Sequence, residues 1–213
     1  MSIGIEFFAS LSSPYCYFTL DRLDEMVRDQ GLQIVMRPVL PGVLRMSDFW
    51  SSTPHNEVSY FERDVARTAD YLGLPYAPPS PTPLAWSDYS VWRPSSDQDL
   101  IYRLCNMLFQ AHELSKGYEL YSALMRLIWA GRTPGWDKGE HLAACLETCG
   151  LPVSLSEEPH TLTAAAENFF ASNQQALFEC GHWGVPTMSL NGEPFFGQDR
   201  IDQLRWRIDN LST

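Results

Sequence analysis

The tetrad Ser13-Pro14-Tyr15-Cys16 constrains this chain more than any other feature, because it falls where a short hydrophobic strand, Ile3 to Phe8, gives way to an amphipathic helical pattern. Serine followed by proline is ordinary helix-start chemistry. The hydroxyl suits an N-cap, and proline suits the first helical position, where its missing N–H costs nothing. The same four residues match the redox pattern Cys-Pro-X-Cys with the first sulfur replaced by oxygen. A hydroxyl carries no electrons. It can donate a hydrogen bond to a thiolate brought by another molecule, and the unpaired N–H groups of a helix start favour that negative charge. Cys16 then lies a turn inside the helix, a place for an inert or supporting thiol, since reactivity follows exposure and thiolate character.

A second anchor stands far away in sequence. Gly184-Val185-Pro186-Thr187 leads into the run Met188 to Leu190, the pair Asn191-Gly192, the run Glu193 to Phe196, and Gly197-Gln198-Asp199-Arg200. Asn-Gly between two apolar runs is a strong hairpin signal. A helix is predicted to open at Gln198-Asp199, where a carboxylate suits both the cap and the dipole. The proline directly before the strand leads it in without costing a central ladder bond, and X-Pro bonds are the only ones commonly cis. The ends of the chain thus read as strand-helix-strand, Ile3 to about Pro38, and proline-strand-strand-helix, Pro186 to Leu211.

Between them the pattern is helical, broken by proline-bearing loops. Glu57 to Leu72 has apolar residues at helical spacing and stops at Gly73 and Pro75. Ala77 to Pro83 carries four prolines and reads as a rigid connection. Leu100–Leu114, Tyr118–Ala130, Lys138–Cys149 and Thr161–Cys180 continue as helices, expected to pack over the active-site edge of the sheet. A chain of 213 residues buries roughly 70% of its unfolded surface, enough for one domain with a large insertion. The N-terminus has no basic leader-like segment and no stretch approaches membrane-spanning length, which predicts a cytosolic protein with no membrane partner. Five cysteines fit reduced thiols, and a net charge of −11 argues against nucleic acid.

Other candidates have plainer readings. His141, Cys145 and Cys149 recur at four-residue steps, but the outer two lie about 12 Å apart along a helix axis. That spacing does not close a zinc site, so core packing and no metal are expected. His182, beside Trp183, reads as structural. Tyr15 and Tyr17 face opposite ways, so one lines a pocket and the other packs inward. Phe49, Trp50, Trp86, Tyr89 and Trp92 form an aromatic group that either walls an apolar site or fills the insertion's core.

Together these motifs resemble the family of 2-hydroxychromene-2-carboxylate isomerases and kappa-class glutathione transferases, relatives of DsbA. The residues that carry the likeness are Leu11 to Tyr17; Tyr60, Asp64, Arg67 and Gly73-Leu74-Pro75; Gly184 to Thr187; and Phe196 to Arg200. The resemblance implies an α/β, thioredoxin-like fold with a large α-helical insertion, residues 1–40 and 184–213 forming the thioredoxin-like domain and 41–183 the insertion. It implies glutathione as cofactor, bound by Ser13, Val185, Pro186, Gln198 and Asp199, with Ser13 catalytic and Tyr15, Trp50 and Trp86 against an electrophilic, aromatic small molecule. The resemblance also implies a cis Val185-Pro186 bond: the Val185 backbone would pair with the cysteinyl unit of the tripeptide, and Gln198 and Asp199 would receive its γ-glutamyl end. A second copy of the chain is an optional partner that the sequence does not decide. A thiol near pKa 8.5 is about 3% ionised at pH 7, and lowering it to about 6.5 gives roughly 75%. The bound thiolate would attack an electron-poor carbon, giving isomerisation if the sulfur leaves again and transfer if it stays. Where the family has a lysine, this chain has Glu57. Either Arg45, Arg93 or Lys116 supplies the cation, or the substrate is less anionic. Two other readings stand beside this one: thiol-disulfide exchange through Cys16 alone, and a redox-inactive module binding an extended peptide along Val185-Pro186.

Overall fold

The computed structural model describes residues 3–47 and 57–211. Trp50 and Phe49 lie outside them. Its four-stranded sheet is built from the two ends of the chain, in the order β2-β1-β5-β6. The N-terminal run forms β1 (Gly4–Ala9), which pairs in parallel with β2 (Gln33–Pro38) and antiparallel with β5 (Thr187–Leu190). β6 (Glu193–Phe196) returns from β5 through Asn191 and Gly192. Both turn residues have positive φ, 53° and 85°, the conformation that matches the twist of a hairpin and that this residue pair tolerates.

The alternation of β1 sets what covers each face. Ile5, Phe7 and Ala9 point to one side and are fully or almost fully buried. Helix α2 (Leu20–Gln30) presents Leu20, Leu23 and Met26 to that core and ends at Gly31, whose φ of 67° needs a glycine. Helix α6 (Gly117–Trp129) packs on the same core, with the Tyr121 ring edge-on to Phe7 at 6.0 Å. The last helix, α9 (Ile201–Asp209), adds Ile201, Leu204 and Ile208. Truncating Phe7 to alanine would cost about 3–5 kcal/mol at such a site.

Phe8 faces the other way, onto Val39 and Leu177. Leu177 belongs to α8 (Ala164–Glu179), where Asn173 Nδ2 donates to the Pro38 carbonyl at 2.9 Å. This corrects one expectation: the Thr161–Cys180 helix does not cover the active-site edge but crosses the opposite face of the sheet. Its start is set by Thr163, whose Oγ1 accepts from Ala166 N at 3.3 Å.

The other helices are α1 (Pro14–Tyr17), α3 (Gly42–Arg45), α4 (Glu57–Leu72), α5 (Asp99–Glu113) and α7 (His141–Thr148). A two-stranded sheet, β3 (Trp86–Asp88) with β4 (Arg93–Pro94), follows the proline segment and was not foreseen. Helix α7 is shorter than its predicted Lys138–Cys149 because Gly139, at φ 59°, ends a run of turns just before it. His141 is exposed, and Leu142 and Leu146 fill the core instead. The packing role expected of His141 is therefore wrong, while Cys145 and Cys149 are partly buried against the core.

Candidate active site

The loop from Ser10 to Ser13 leaves the end of β1 and is braced from behind by α6. Tyr121 Oη donates to Ser10 O at 3.2 Å, and Trp129 Nε1 donates to Leu11 O at 3.0 Å. Ser13 has the extended N-cap conformation, and its carbonyl accepts from Cys16 N at 3.1 Å, but its hydroxyl makes no capping bond. The hydroxyl lies beside the Cys16 thiol instead and lines a cavity. Helix α1 is a single turn; Thr19 closes it by donating its hydroxyl to Cys16 O at 2.7 Å before α2 begins. The predicted amphipathic helix is thus broken in two, and less of its dipole reaches Ser13 than an unbroken helix would supply.

Cys16 is wholly buried, and burial raises its thiol pKa to about 11 against the opposing pull of the Ser13 hydroxyl. Tyr17 packs inward, its Oη donating to Pro75 O at 2.8 Å. Tyr15 turns outward and donates to a carboxylate oxygen of Asp64. Burial and that carboxylate both hold the Tyr15 phenol far above its ordinary pKa. Asp64 also receives Arg67 Nε at 2.8 Å, and Arg67 Nη2 donates to Tyr60 Oη at 3.0 Å. Burial opposes ionisation of Asp64, but the hydrogen bonds from Tyr15 and Arg67 outweigh it and depress its pKa.

The Val185–Pro186 bond is cis, as expected, and Val185 lines the same cavity as Ser13. Pro186 O accepts from Gly197 N at 2.9 Å, tying this loop to the end of β6. Gly184 is packed under Phe196: a Cβ there would lie 2.5 Å from Phe196 Cε2. His182 stacks on the same ring at 4.0 Å, and its Nδ1 accepts from Gly184 N at 2.9 Å. Burial lowers its pKa, so the imidazole is a neutral prop for the loop. Gln198 and Asp199 begin only a 3-10 turn, and the regular helix opens later, at Ile201. Two features accompany this: Arg22, distant in the chain, donates Nη2 to Gln198 Oε1 at 2.6 Å, and Gly197 has φ 106°, outside helical geometry.

Two cavities meet at this loop. One, of about 300 Å³, is lined by Ser13, Tyr15 and Val185 and by an apolar wall of Val43, Phe61, Leu84, Trp86 and Trp92. Trp86 and Trp92 pack at 5.8 Å and Trp92 meets Phe61 edge-on at 5.1 Å, so the expected aromatic wall forms in part. Tyr89 supports it from behind without lining it. Phe61, Val43 and Leu84 were not singled out from sequence, where they are ordinary apolar positions. Of the three cations considered, Arg45 lines the cavity, Lys116 pairs with Glu119 at 3.2 Å, and Arg93 lies on β4 outside the lining. Glu57 also lines it. The second cavity, of about 370 Å³, is polar and is lined by Asp64, Thr68, Pro186, Gln198 and Asp199, sharing Tyr15, Val185 and Phe196 with the first.

Among the described residues no helix is long and apolar enough to cross a membrane, and no group of three or more His, Cys, Asp or Glu is disposed to hold a metal. The chain is similar to a 2-hydroxychromene-2-carboxylate isomerase of Pseudomonas putida, at 24% identity over 97% of this chain and 95% of that protein. A solved 2-hydroxychromene-2-carboxylate isomerase superposes with a TM-score of 0.68 at 21% identity, covering 99% of this chain and 96% of that one. The cytosolic disulfide reductase DsbM of Pseudomonas aeruginosa, solved with GSH, shares the fold at a TM-score of 0.54 and 15% identity, over 97% and 100% of the two chains. A model of the DSBA-like thioredoxin domain matches residues 4–209, and the chain belongs to that family.

Proposed function

We propose that the protein is a glutathione-dependent enzyme, an isomerase or transferase, in which the Ser13 hydroxyl stabilises the thiolate of bound glutathione for attack on an electrophilic aromatic molecule. The observation that carries this reading is the Ser13 hydroxyl itself. It stands in the position of an attacking thiol, makes no capping bond, and lines the apolar cavity beside the Val185–Pro186 backbone. The polar cavity across that backbone has the donors and carboxylates for the γ-glutamyl end: Gln198, and Asp199 for the ammonium. Tyr15 and Trp86 would then flank the electrophile. The similarity to an isomerase and the glutathione-bearing DsbM structure both support the reading. Burial of Cys16, with its thiol pKa near 11, favours it over thiol exchange through that residue.

Reduced glutathione at 100 times its Kd should add about 2.7 kcal/mol of stability, seen as a raised Tm. Ser13→Ala should leave that affinity within about twofold, diminish the thiolate absorbance near about 240 nm, and lower kcat by about 10²-fold, as for loss of one donor to a reacting anion. Equal thiolate absorbance and equal turnover would reduce Ser13 to a helix-start residue. Absence of any glutathione effect on Tm would remove the cofactor from the account.

A further inference from the structure

Cys145 and Cys149 stand one turn apart at the end of α7 and line neither cavity. The bond from Cys149 N to Cys145 O at 3.2 Å, with φ −84° and ψ −3° at Cys149, continues the helical turn, so both side chains leave the same face. Both are free thiols, partly buried and partly open to solvent. The other three cysteines differ: Cys16 and Cys105 are sealed in the core, and Cys180 packs on the small core behind the sheet. Cys145 Sγ lies 3.9 Å from Ala123 O of α6. Burial raises the Cys145 pKa to about 11 and the charge of Cys149 adds to the shift, which places the two sulfurs within each other's field. Burial raises Cys149 as well, Glu119 adds to this, and Lys116 opposes it; these two, at the start of α6, are the charged groups that act on the pair.

A disulfide needs Cβ atoms about 3.5–4.5 Å apart, whereas residues four apart on a helix hold theirs at about 5–6 Å. Closing that gap would distort the last turn of α7. An ion between the sulfurs spans it without distortion, because it adds two metal–sulfur bonds of about 2.3 Å each. Zinc is a poor fit, since a structural zinc takes four ligands and among the described residues no third His, Cys, Asp or Glu joins these two in a metal-holding group. Thiolates select soft ions, and of these copper(I) is satisfied by two sulfurs in a line. We infer that Cys145 and Cys149 form a two-coordinate thiolate site for a soft, thiophilic cation of the copper(I) class, separate from the candidate active site and independent of the glutathione reading. On binding, each thiol releases its proton to water and each sulfur gives a lone pair to the ion, with no change of oxidation state. Two thiolates and one monovalent cation leave one net negative charge. Lys116 can turn toward it, because its pair with Glu119 at 3.2 Å is exposed and weakly held.

The test titrates the full chain, reduced and free of oxygen, with copper(I) held by the colorimetric chelator bicinchoninate. One ion per chain should pass to the protein. Both thiols are protonated between about pH 6 and 8, so two protons leave per ion and the apparent Kd should fall about 100-fold per pH unit, against about tenfold for a single thiol. Cys145→Ser and Cys149→Ser should each weaken binding by at least about 100-fold and reduce the pH slope to that of one thiol. Cys180→Ser and His141→Ala should bind as the wild type does, and zinc in about tenfold excess should not displace the copper. Where Cys145→Ser fails to fold, Cys149→Ser, at the helix end, carries the comparison. Affinity that survives either serine substitution in a folded protein overturns the site, as does a wild-type slope of one proton. A loss in His141→Ala, or displacement by zinc, overturns the two-coordinate assignment. A Cys145–Cys149 disulfide in oxidised protein with unchanged helical circular dichroism would overturn the spacing argument beneath it.

Discussion

The two cavities on either side of the Val185–Pro186 backbone share Tyr15, Val185 and Phe196 yet differ in nearly everything else. Among the described residues, one is walled by tryptophans and aliphatic groups, with Arg45 and Glu57 as its charged side chains. The other presents two carboxylates, an amide and a threonine hydroxyl, with no lysine or arginine among the described residues of its lining. At one end of the sheet, a thin wall of backbone and three side chains thus separates an apolar space from a polar one. Ser13 lines the apolar one and not the polar one.

The largest effect that would sharpen this contrast is expected from Asp199→Ala. Removing a charge-assisted partner should weaken glutathione by about 1.5–3 kcal/mol in calorimetry. Para-nitroanisole in the apolar cavity should bind as before. If both ligands weaken together, the two spaces are one site and the division fails.

Next comes the wall itself. Gly184→Ala puts a Cβ against the Phe196 ring, which also carries the His182 stack. Overpacking of this kind costs about 1–3 kcal/mol in stability, and both ligands should lose affinity because the wall must shift. Unchanged urea unfolding would show that the ring moves aside freely.

The smallest change concerns Tyr15, whose phenol bonds Asp64 across the edge of the polar cavity. Tyr15→Phe should cost about 0.5–1.5 kcal/mol, the usual worth of one hydrogen bond. Its pH dependence has a definite sign. The folded pKa of Asp64 is depressed, so the stabilisation is fully present above the unfolded value of about 3.9 and is lost as pH falls through the lower folded value. The gap between wild type and Tyr15→Phe should therefore close in acid; a gap that stays constant into acid would show that Tyr15 acts without the Asp64 carboxylate.

Much of the fold was legible along the chain. The hydrophobic run of β1, the Asn191-Gly192 turn and the apolar spacing of α4 each depend on neighbours within a few residues, and each formed within a residue of its predicted place. Other expectations failed for reasons outside that range. The helix after Gly197 starts late, and Arg22, 176 residues away, holds Gln198 there. α8 lies on the far face of the sheet because Phe8, Val39 and Leu177 make a small core there. The braces on the Ser10–Ser13 loop, Tyr121 and Trp129, left no signal in sequence, since an aromatic on an apolar helix face looks the same whether or not its polar atom finds a distant carbonyl.

The sequence by itself determined the strand-helix-strand start, the hairpin end, and the presence of a hydroxyl rather than a sulfur at position 13, because these follow from local backbone preference and residue chemistry. Only the tertiary structure decided which of the three candidate cations enters the cavity, that Cys16 is sealed from solvent, and that Tyr15 faces Asp64 while Tyr17 faces the core. Those outcomes depend on burial and on partners far apart in the chain, and both are properties of the packed molecule rather than of any segment of it.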